Sequence, residues 1–484
     1  MKLLILAENS NGPYPHMHYR ALGTMELRRR AEAKGHKTEI IEWFTRWTLD
    51  ELKLVIQTYQ PDVIGLSITL MADMKVDTIK QNELLSWARG KYPKLKVIVG
   101  GVRNEKESDG LIDAFFLGRS MKMFDDWLDD KDMTSYTVSK KHGATSKSVV
   151  YLNKEFNEFT DQPILPIPKD EDYYTPHDIL GFEVSVGCKF NCSFCNYELR
   201  NAKITNLSKA ENLHSMFKNA YEKYGITHFY AVDDTLNESD EKLEIIADAI
   251  KGLDFHPQIS GWLRLDLISA RPYQLELLQR IQMQSIFFGI ESFNEEASKR
   301  VRKRSIGNKP FETLKKIKEL CPDTWTTGGL IIGLVGDTEE SIRKSIHKAM
   351  DENLLSEVRM QPLGIHLPEA GGNYTDYSSH FNSDLDNDPG KFNYQIIESA
   401  EFGRQWKNEW TTYGEAKALA RDLRAELRSD QLGHSEYSSL VALKLYKECS
   451  TEAEYAEMRH RARAKADLLK QSYVDKKLQY FLNL

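Results

Sequence analysis

The sequence predicts an α/β protein in three parts: an open, doubly wound parallel sheet, a partly open barrel of six βα units, and a mainly helical C-terminal region. Three observations lead there. Short apolar runs alternate with helical stretches in two separate series, the pattern of parallel strands joined by right-handed crossovers. A Pro-rich passage, QPILPIPKDEDYYTP, stands between the series and suits an extended connection. From about Pro368 the alternation gives way to a Gly/Asn/Asp-rich passage and then to helical patterning. The predicted divisions are 1–128 for the first sheet, 129–177 for the connection, 178–367 for the barrel and 368–484 for the helical region.

In the first series, Lys2–Ala7 (KLLILA), Thr38–Trp43, Val63–Thr69, Lys96–Gly101 and the short Ala114–Leu117 read as strands buried on both faces. Helical stretches between them include Met25–Lys34, ending at Gly35, and Leu49–Tyr59, ending before Pro61. Ligands of such sheets bind beyond the carboxyl ends of the strands, here the loops Glu8–Tyr19, Thr69–Lys75 and Gly100–Asn104. The second series offers strands at Phe182–Val186, His228–Val232, Gln258–Arg264, Ser285–Glu291, Thr326–Leu334 and Glu357–Leu363. Helices such as Lys209–Tyr224 and Pro272–Gln282 separate them, and a barrel-like sheet carries its chemistry at the same strand ends. In the last region Leu419, Leu423 and Leu427 recur every four residues, and Thr451 with Glu454 makes a capping box. Trp406 and Trp410, four apart, are expected on one packed helix face.

Composition sets limits on function. With 484 residues, 41% hydrophobic and 28% charged, the chain can bury a large core and is not globally disordered. The apolar run LLILA stops at Glu8, far short of the roughly 20 residues of a membrane helix. No signal-peptide pattern is visible, and five cysteines make no disulfide framework, so the cytoplasm is the expected compartment. A net charge of -7 excludes a polyanion binder driven by overall charge. RHRARAK at Arg459–Lys465 reads as a solvated helix face, diluted by Glu452, Glu454 and Glu457, and gives no clear nucleic-acid signal.

Three of the five cysteines fall together. Cys188, Cys192 and Cys195 form a C-x3-C-x2-C loop just after a predicted strand, where three thiolates can turn toward one point. Thiolates are soft ligands that suit zinc or iron–sulfur iron. Structural zinc normally closes a tetrahedron, commonly with two separated ligand pairs. No second pair exists, since Cys321 and Cys449 lie far along the chain. Cysteines that merely pack are the alternative without a metal. Three ligands on a four-iron cluster leave one iron open.

The segment FEVSVGCKFNCSFCNYE resembles the signature of the radical S-adenosylmethionine (radical SAM) superfamily, a C-x3-C-x-aromatic-C loop after the first barrel strand, with Phe194 as the aromatic. The resemblance implies a 4Fe–4S cluster on Cys188, Cys192 and Cys195, with SAM chelated at the open iron through its methionine amino and carboxylate groups. It also implies reductive cleavage of SAM to methionine and a 5′-deoxyadenosyl radical that takes hydrogen from a substrate. Asp233 and Asp234 (FYAVDDT) would then lie near the SAM amino group, although an Asp pair also caps a following helix. Glu291 (FFGIES) would bond the ribose or amino group. Gly329, Ile331 and Gly333 (GGLIIG) would let the backbone approach the adenine, with Gly336 standing where the family segment has Glu. Arg264 would reach the SAM carboxylate, and a structural ion pair reads it equally well. No residue acting on the substrate stands out.

The order of a flavodoxin-like sheet, a Pro-rich linker and the cysteine loop resembles the cobalamin-binding-domain class of that superfamily, over about residues 1–370. The class includes methyltransferases and ring-forming enzymes of the magnesium-protoporphyrin cyclase type. Ser67 (GLSIT) and Gly100–Gly101 match places where that domain approaches the corrin. The D-x-H-x-x-G motif, whose His replaces the lower cobalt ligand, is absent: AENSNGPYPHMHYRALG holds His16 and His18 in the right loop without the flanking Asp and Gly. Expected, therefore, is a radical SAM enzyme with 4Fe–4S and SAM, acting on an unidentified substrate, with cobalamin-dependent methyl transfer left open. The alternatives are a radical SAM enzyme whose first domain no longer binds cobalamin and a non-catalytic iron–sulfur binding or sensing protein. A flavodoxin or ferredoxin is the electron donor the resemblance implies.

Overall fold

The first sheet is built from strands whose side chains are buried on both faces, as continuous apolar runs require when helices cover each side. In the computed structural model its members are β1 (Lys2–Ala7), β2 (Lys37–Ile41), β3 (Val63–Ser67), β4 (Lys96–Val102), β5 (Ala114–Leu117) and β6 (Val149–Leu152). They run parallel in the order β2-β1-β3-β4-β5-β6. The structure describes residues 1–8, 18–67, 75–102, 110–119, 121–137, 149–152, 158–159, 162–197, 200–204, 206–303, 309–366, 382–401, 403–427 and 432–484. His16, Pro13 and Pro15, and most of the loop at 69–75, lie outside them.

The segment 129–177, read as a connection, contributes β6 to the first sheet, paired in register with β5 from Ala114↔Val149 to Leu117↔Leu152. Val150 and Leu152 are buried beneath it. A four-residue run (VVYL) among polar neighbours is too short to stand out by periodicity. A short pair, β7 (Glu158–Phe159) with β9 (Lys203–Ile204), ties the end of the same segment to the chain beyond the cysteines.

The second sheet runs β8 (Ile179–Phe182), β10 (His228–Ala231), β11 (Gln258–Leu263), β12 (Ser285–Glu291), β13 (Trp325–Ile332) and β14 (Glu357–Pro362), all parallel and spatially in sequence order. It is a six-stranded barrel left open between β8 and β14 among the described residues. The first strand stands earlier than the expected Phe182–Val186. The apolar run is continuous from Ile179 to Val186, and the backbone N–H groups of Val184 and Ser185 donate to the Asp233 carboxylate at 2.8 Å each instead of to a strand.

The open edge of β8 is covered from the first domain. Tyr19 bridges Ile179, with Ile179 N donating to His18 O at 3.0 Å and Arg20 N to Ile179 O at 3.1 Å. Pairing an edge strand in this way removes exposed backbone donors and acceptors. His18 is buried, its Nδ1 2.8 Å from Asp178 Oδ1, and burial lowers its pKa despite that carboxylate. It is a junction residue set in the protein interior.

The C-terminal region does not form a separate layer. A hairpin of β15 (Gln395–Ser399) and β16 (Gly403–Lys407) precedes its helices, so Trp406 sits on a strand and Trp410 in the turn after it, not on one helix. Trp406 packs against Gly333, where φ is +102° and an added Cβ would collide with the indole. Helix Tyr413–Glu426 buries Leu419 and Leu423 against the barrel. Helix His434–Ala442 closes the barrel floor, where Ser438 Oγ lies 2.6 Å from Ser260 Oγ and 2.8 Å from Ser285 Oγ. The last helix, Glu452–Leu482, starts at the Thr451/Glu454 capping box and returns to the first sheet, burying Tyr473, Val474 and Phe481 in its core. Among the described residues no helix is long and apolar enough to cross a membrane.

Candidate active site

The cysteine loop leaves β8 at the carboxyl end of the barrel and is pinned by its own backbone. Ala202 N donates to Cys188 O at 3.1 Å, Asn201 N to Phe190 O at 3.0 Å and Cys195 N to Cys192 O at 3.1 Å. Its base rests on Asp233, which also pairs with Lys242 Nζ at 2.7 Å, both side chains fully buried. All five cysteines are free thiols. Cys188, Cys192 and Cys195 border one cavity of about 670 Å³, with Phe194 beside them. Cys321 packs in the barrel core and Cys449 against the C-terminal helices, so neither joins them.

Burial pushes the Cys195 thiol up to about 11 and raises the Cys188 thiol as well, against the lowering hydrogen bond from Thr235, whose Oγ1 is 3.6 Å from Cys188 Sγ. Buried thiols of this kind stay protonated until a cation displaces the proton. Among the described residues no three His, Cys, Asp or Glu side chains converge closely enough to hold a single ion. Three soft thiolate donors bordering one cavity suit iron–sulfur iron.

Opposite the thiols the strand ends supply charge. Arg264, just past β11, forks onto Asp266 at 3.0 and 2.7 Å, lies 4.0 Å over the Phe190 ring, and extends Nη1 to 3.5 Å from Cys192 Sγ. It is at once half of a structural ion pair and a neighbour of the Cys192 thiol. Glu291 ends β12 at φ +65°, where the register slips between Gly289 and Glu291. Such a bulge re-aims a side chain, here into the cavity. Lys303 Nζ, nearly buried, donates to Glu291 Oε1 and to Gly289 O, each at 2.7 Å. Asp234 also faces the cavity, and desolvation raises its carboxyl to about 7, against the lowering hydrogen bond from Tyr197.

Of the residues singled out in the sequence, the cavity therefore gathers Cys188, Cys192, Cys195, Phe194, Asp234, Arg264, Glu291, Gly329 and Ile331. Two stand apart. Asp233 spends both oxygens on Val184, Ser185 and Lys242, and so shapes the loop from behind. Gly333 makes room for Trp406, and its carbonyl accepts from Tyr394 and Asn408. The sequence reading missed Lys303, Trp262, Phe287, Gln361 and His434 on the cavity wall. Trp262 stands two residues before Arg264, and period-two alternation along β11 was the available signal. His434 carried none, because its helix inserts from a distant part of the chain.

A second cavity, of about 160 Å³, opens at the carboxyl ends of the first sheet, bordered by Gly65, Ser67, Gly100, Gly101 and Arg119. Gly101 adopts φ +80° where the β4–β5 register slips. This is the switch-point position at which open α/β sheets take ligands.

The family model of the Radical SAM superfamily matches residues 182–349. No curated protein matches the chain. Among solved structures, the radical SAM methyltransferase TsrM from Kitasatospora setae, with cobalamin and a [4Fe-4S] cluster bound, superposes with TM-score 0.61 at 12% identity, covering 96% of this chain and 99% of that one. The cobalamin-dependent SAM radical enzyme OxsB with aqua-cobalamin gives 0.57 at 13% identity, over 97% of this chain and 72% of that one. Residues 182–349 thus match the radical SAM superfamily model, and the whole chain has the fold that TsrM and OxsB share.

Proposed function

We propose that this enzyme holds a 4Fe–4S cluster on Cys188, Cys192 and Cys195, binds SAM beside it, and works with cobalamin carried at the carboxyl end of the first sheet to methylate an acceptor. The observation that carries this reading is the meeting of three free thiols with Arg264, Asp234, Glu291 and Lys303 around one cavity. When bound, the cluster supplies the electron that cleaves the sulfonium, and the corrin supplies a methyl carrier. The chain's own residues bind and orient. Asp234 and Glu291 are acceptors for an ammonium and for ribose hydroxyls, Arg264 is a donor for a carboxylate, and Lys303 fixes Glu291 in place. Ile331 covers an apolar face, and the helix His434–Ala442 seals the floor against water.

TsrM and OxsB, the neighbours whose fold this chain shares, carry cobalamin, and the Gly-lined cavity of the first sheet is placed for a ligand at the strand ends. His18 is committed to Asp178, so the reading has the corrin held without His18 on cobalt. A flavodoxin or ferredoxin is the proposed reductant. The test is anaerobic reconstitution with iron, sulfide and hydroxocobalamin, followed by gel filtration. About four irons and one corrin per chain are expected, with iron but not corrin lost in Cys192→Ala. Retained iron with no corrin would remove cobalamin-borne methyl transfer and leave SAM cleavage standing.

A further inference from the structure

The cavity has two ends of different chemistry. At the strand carboxyl ends lie the thiols and the charged groups. One inward step deeper on β11, two residues before Arg264, Trp262 faces the same space and keeps 38% of its surface exposed. That exposure is not looseness. The indole lies 4.2 Å from the Phe287 ring centroid and meets His434 edge-on at 5.2 Å, and its Nε1 donates to the Tyr230 hydroxyl. Tyr230 in turn contacts His434 Nε2 at 3.3 Å. Phe287 occupies the room left by Gly329, where an added Cβ would collide with the phenyl ring.

The stack Gly329–Phe287–Trp262 is thus fixed from behind, from the edge and at its only polar atom. What remains free is a rigid indole face turned into a cavity, the arrangement that captures a flat ring at low entropic cost. Phe287 against Gly329 also fills the place where an adenine would approach that glycine. From this geometry we infer that the inner end of the cavity, built on Trp262, is the acceptor subsite, and that the acceptor presents a planar aromatic or heteroaromatic ring stacked on the indole. The inference rests on reading the outer end as the SAM site, and it names the class of substrate.

The test uses the full-length chain with its cluster reconstituted, and the fragments indole, quinoline and cyclohexanecarboxamide, observed by saturation-transfer NMR. Indole and quinoline are expected to bind competitively with each other, in the presence of SAM, and the saturated ring not to bind. Trp262→Ala is expected to weaken both aromatic fragments at least five-fold, Trp262→Phe to restore most of the affinity, and SAM affinity to change less than two-fold in either variant. Equal fragment binding by wild type and both variants would overturn the subsite. So would binding of the saturated ring as tightly as indole, or a loss of SAM affinity in step with the fragments, which would give the indole to the adenine. Iron content and SAM cleavage are measured on the same wild-type preparation. A failure of the radical SAM reading appears there, while fragment binding reports on the subsite alone.

Discussion

Arg119 forks onto Glu183, Nη1 to Oε1 at 2.8 Å and Nη2 to Oε2 at 3.0 Å. Arg119 borders the cavity of the first sheet, and Glu183 stands between β8 and the cysteine loop. Glu183 Oε2 also accepts from Ile164 N at 2.8 Å. One bidentate pair therefore joins the floor of one ligand cavity to the root of the other. Removing one partner of a mostly buried pair strands the other charge at a cost of about 3 kcal/mol or more, whereas removing both costs less. Arg119→Met should lower the urea unfolding free energy by about that amount, and Arg119→Met with Glu183→Met should recover over half of it. Additive losses in the double variant would show that the two side chains are not coupled.

Asp233 and Asp234 are neighbours with opposite tasks, and their variants should separate. Asp233→Asn removes the nearer carboxylate from the fully buried Lys242, which keeps only Thr235 O at 2.9 Å and Glu238 Oε1 at 3.9 Å; this should cost about 3 kcal/mol and reduce reconstituted iron. Asp234→Asn should keep the iron and weaken SAM. Iron analysis beside equilibrium dialysis of SAM reads both, and the reverse pattern would contradict the placement of the two carboxylates.

Lys303 holds Glu291 at the cavity wall. Lys303→Met should weaken SAM about ten-fold or more, since the loss of a buried charged hydrogen-bond partner is worth roughly 2 kcal/mol or above. Iron content should stay unchanged. Unaltered SAM affinity would mean that Glu291 does not meet the nucleoside.

Two buried histidines set an acid limit on stability. Burial lowers His228 to about 4 and His434 to about 3, so both are neutral in the folded chain at pH 6. The unfolded chain takes up these protons below about pH 6.5, so it binds more protons than the folded one and stability falls as pH drops from about 6.5 toward 4 and 3. Above about 6.5 neither contributes a slope. Each adds up to about 1.4 kcal/mol per pH unit. His228→Asn should flatten the decline of melting temperature between pH 6.5 and 4.5 relative to wild type, and an identical slope would contradict a neutral buried His228.

Much of this architecture was legible because parallel strands buried on both faces must be apolar throughout. KLLILA, VIGLS and SIFFGIE announce themselves, and each becomes a strand. The cysteine spacing was legible because thiols on one short loop are local in sequence. What escaped was non-local or short. β6 offers only four residues, and the run Ile179–Val186 cannot say where a strand ends when Asp233 takes over its last N–H groups. Helix His434–Ala442 carries Ser438, which bonds both Ser260 and Ser285 on the barrel floor, contacts between segments far apart in the chain. Lys303 lies twelve residues beyond Glu291 (303 against 291), a distance no spacing rule anticipates.

The central claim is that three thiols leave one iron of a cluster open to SAM. The most direct measurement is electron paramagnetic resonance of the dithionite-reduced, reconstituted chain before and after SAM, followed by assay for 5′-deoxyadenosine. A reduced-cluster signal that changes shape on SAM addition, with the nucleoside released, is predicted for wild type and lost in Cys188→Ala, Cys192→Ala and Cys195→Ala. A signal indifferent to SAM, or a metal analysis that finds zinc on these cysteines, would contradict it.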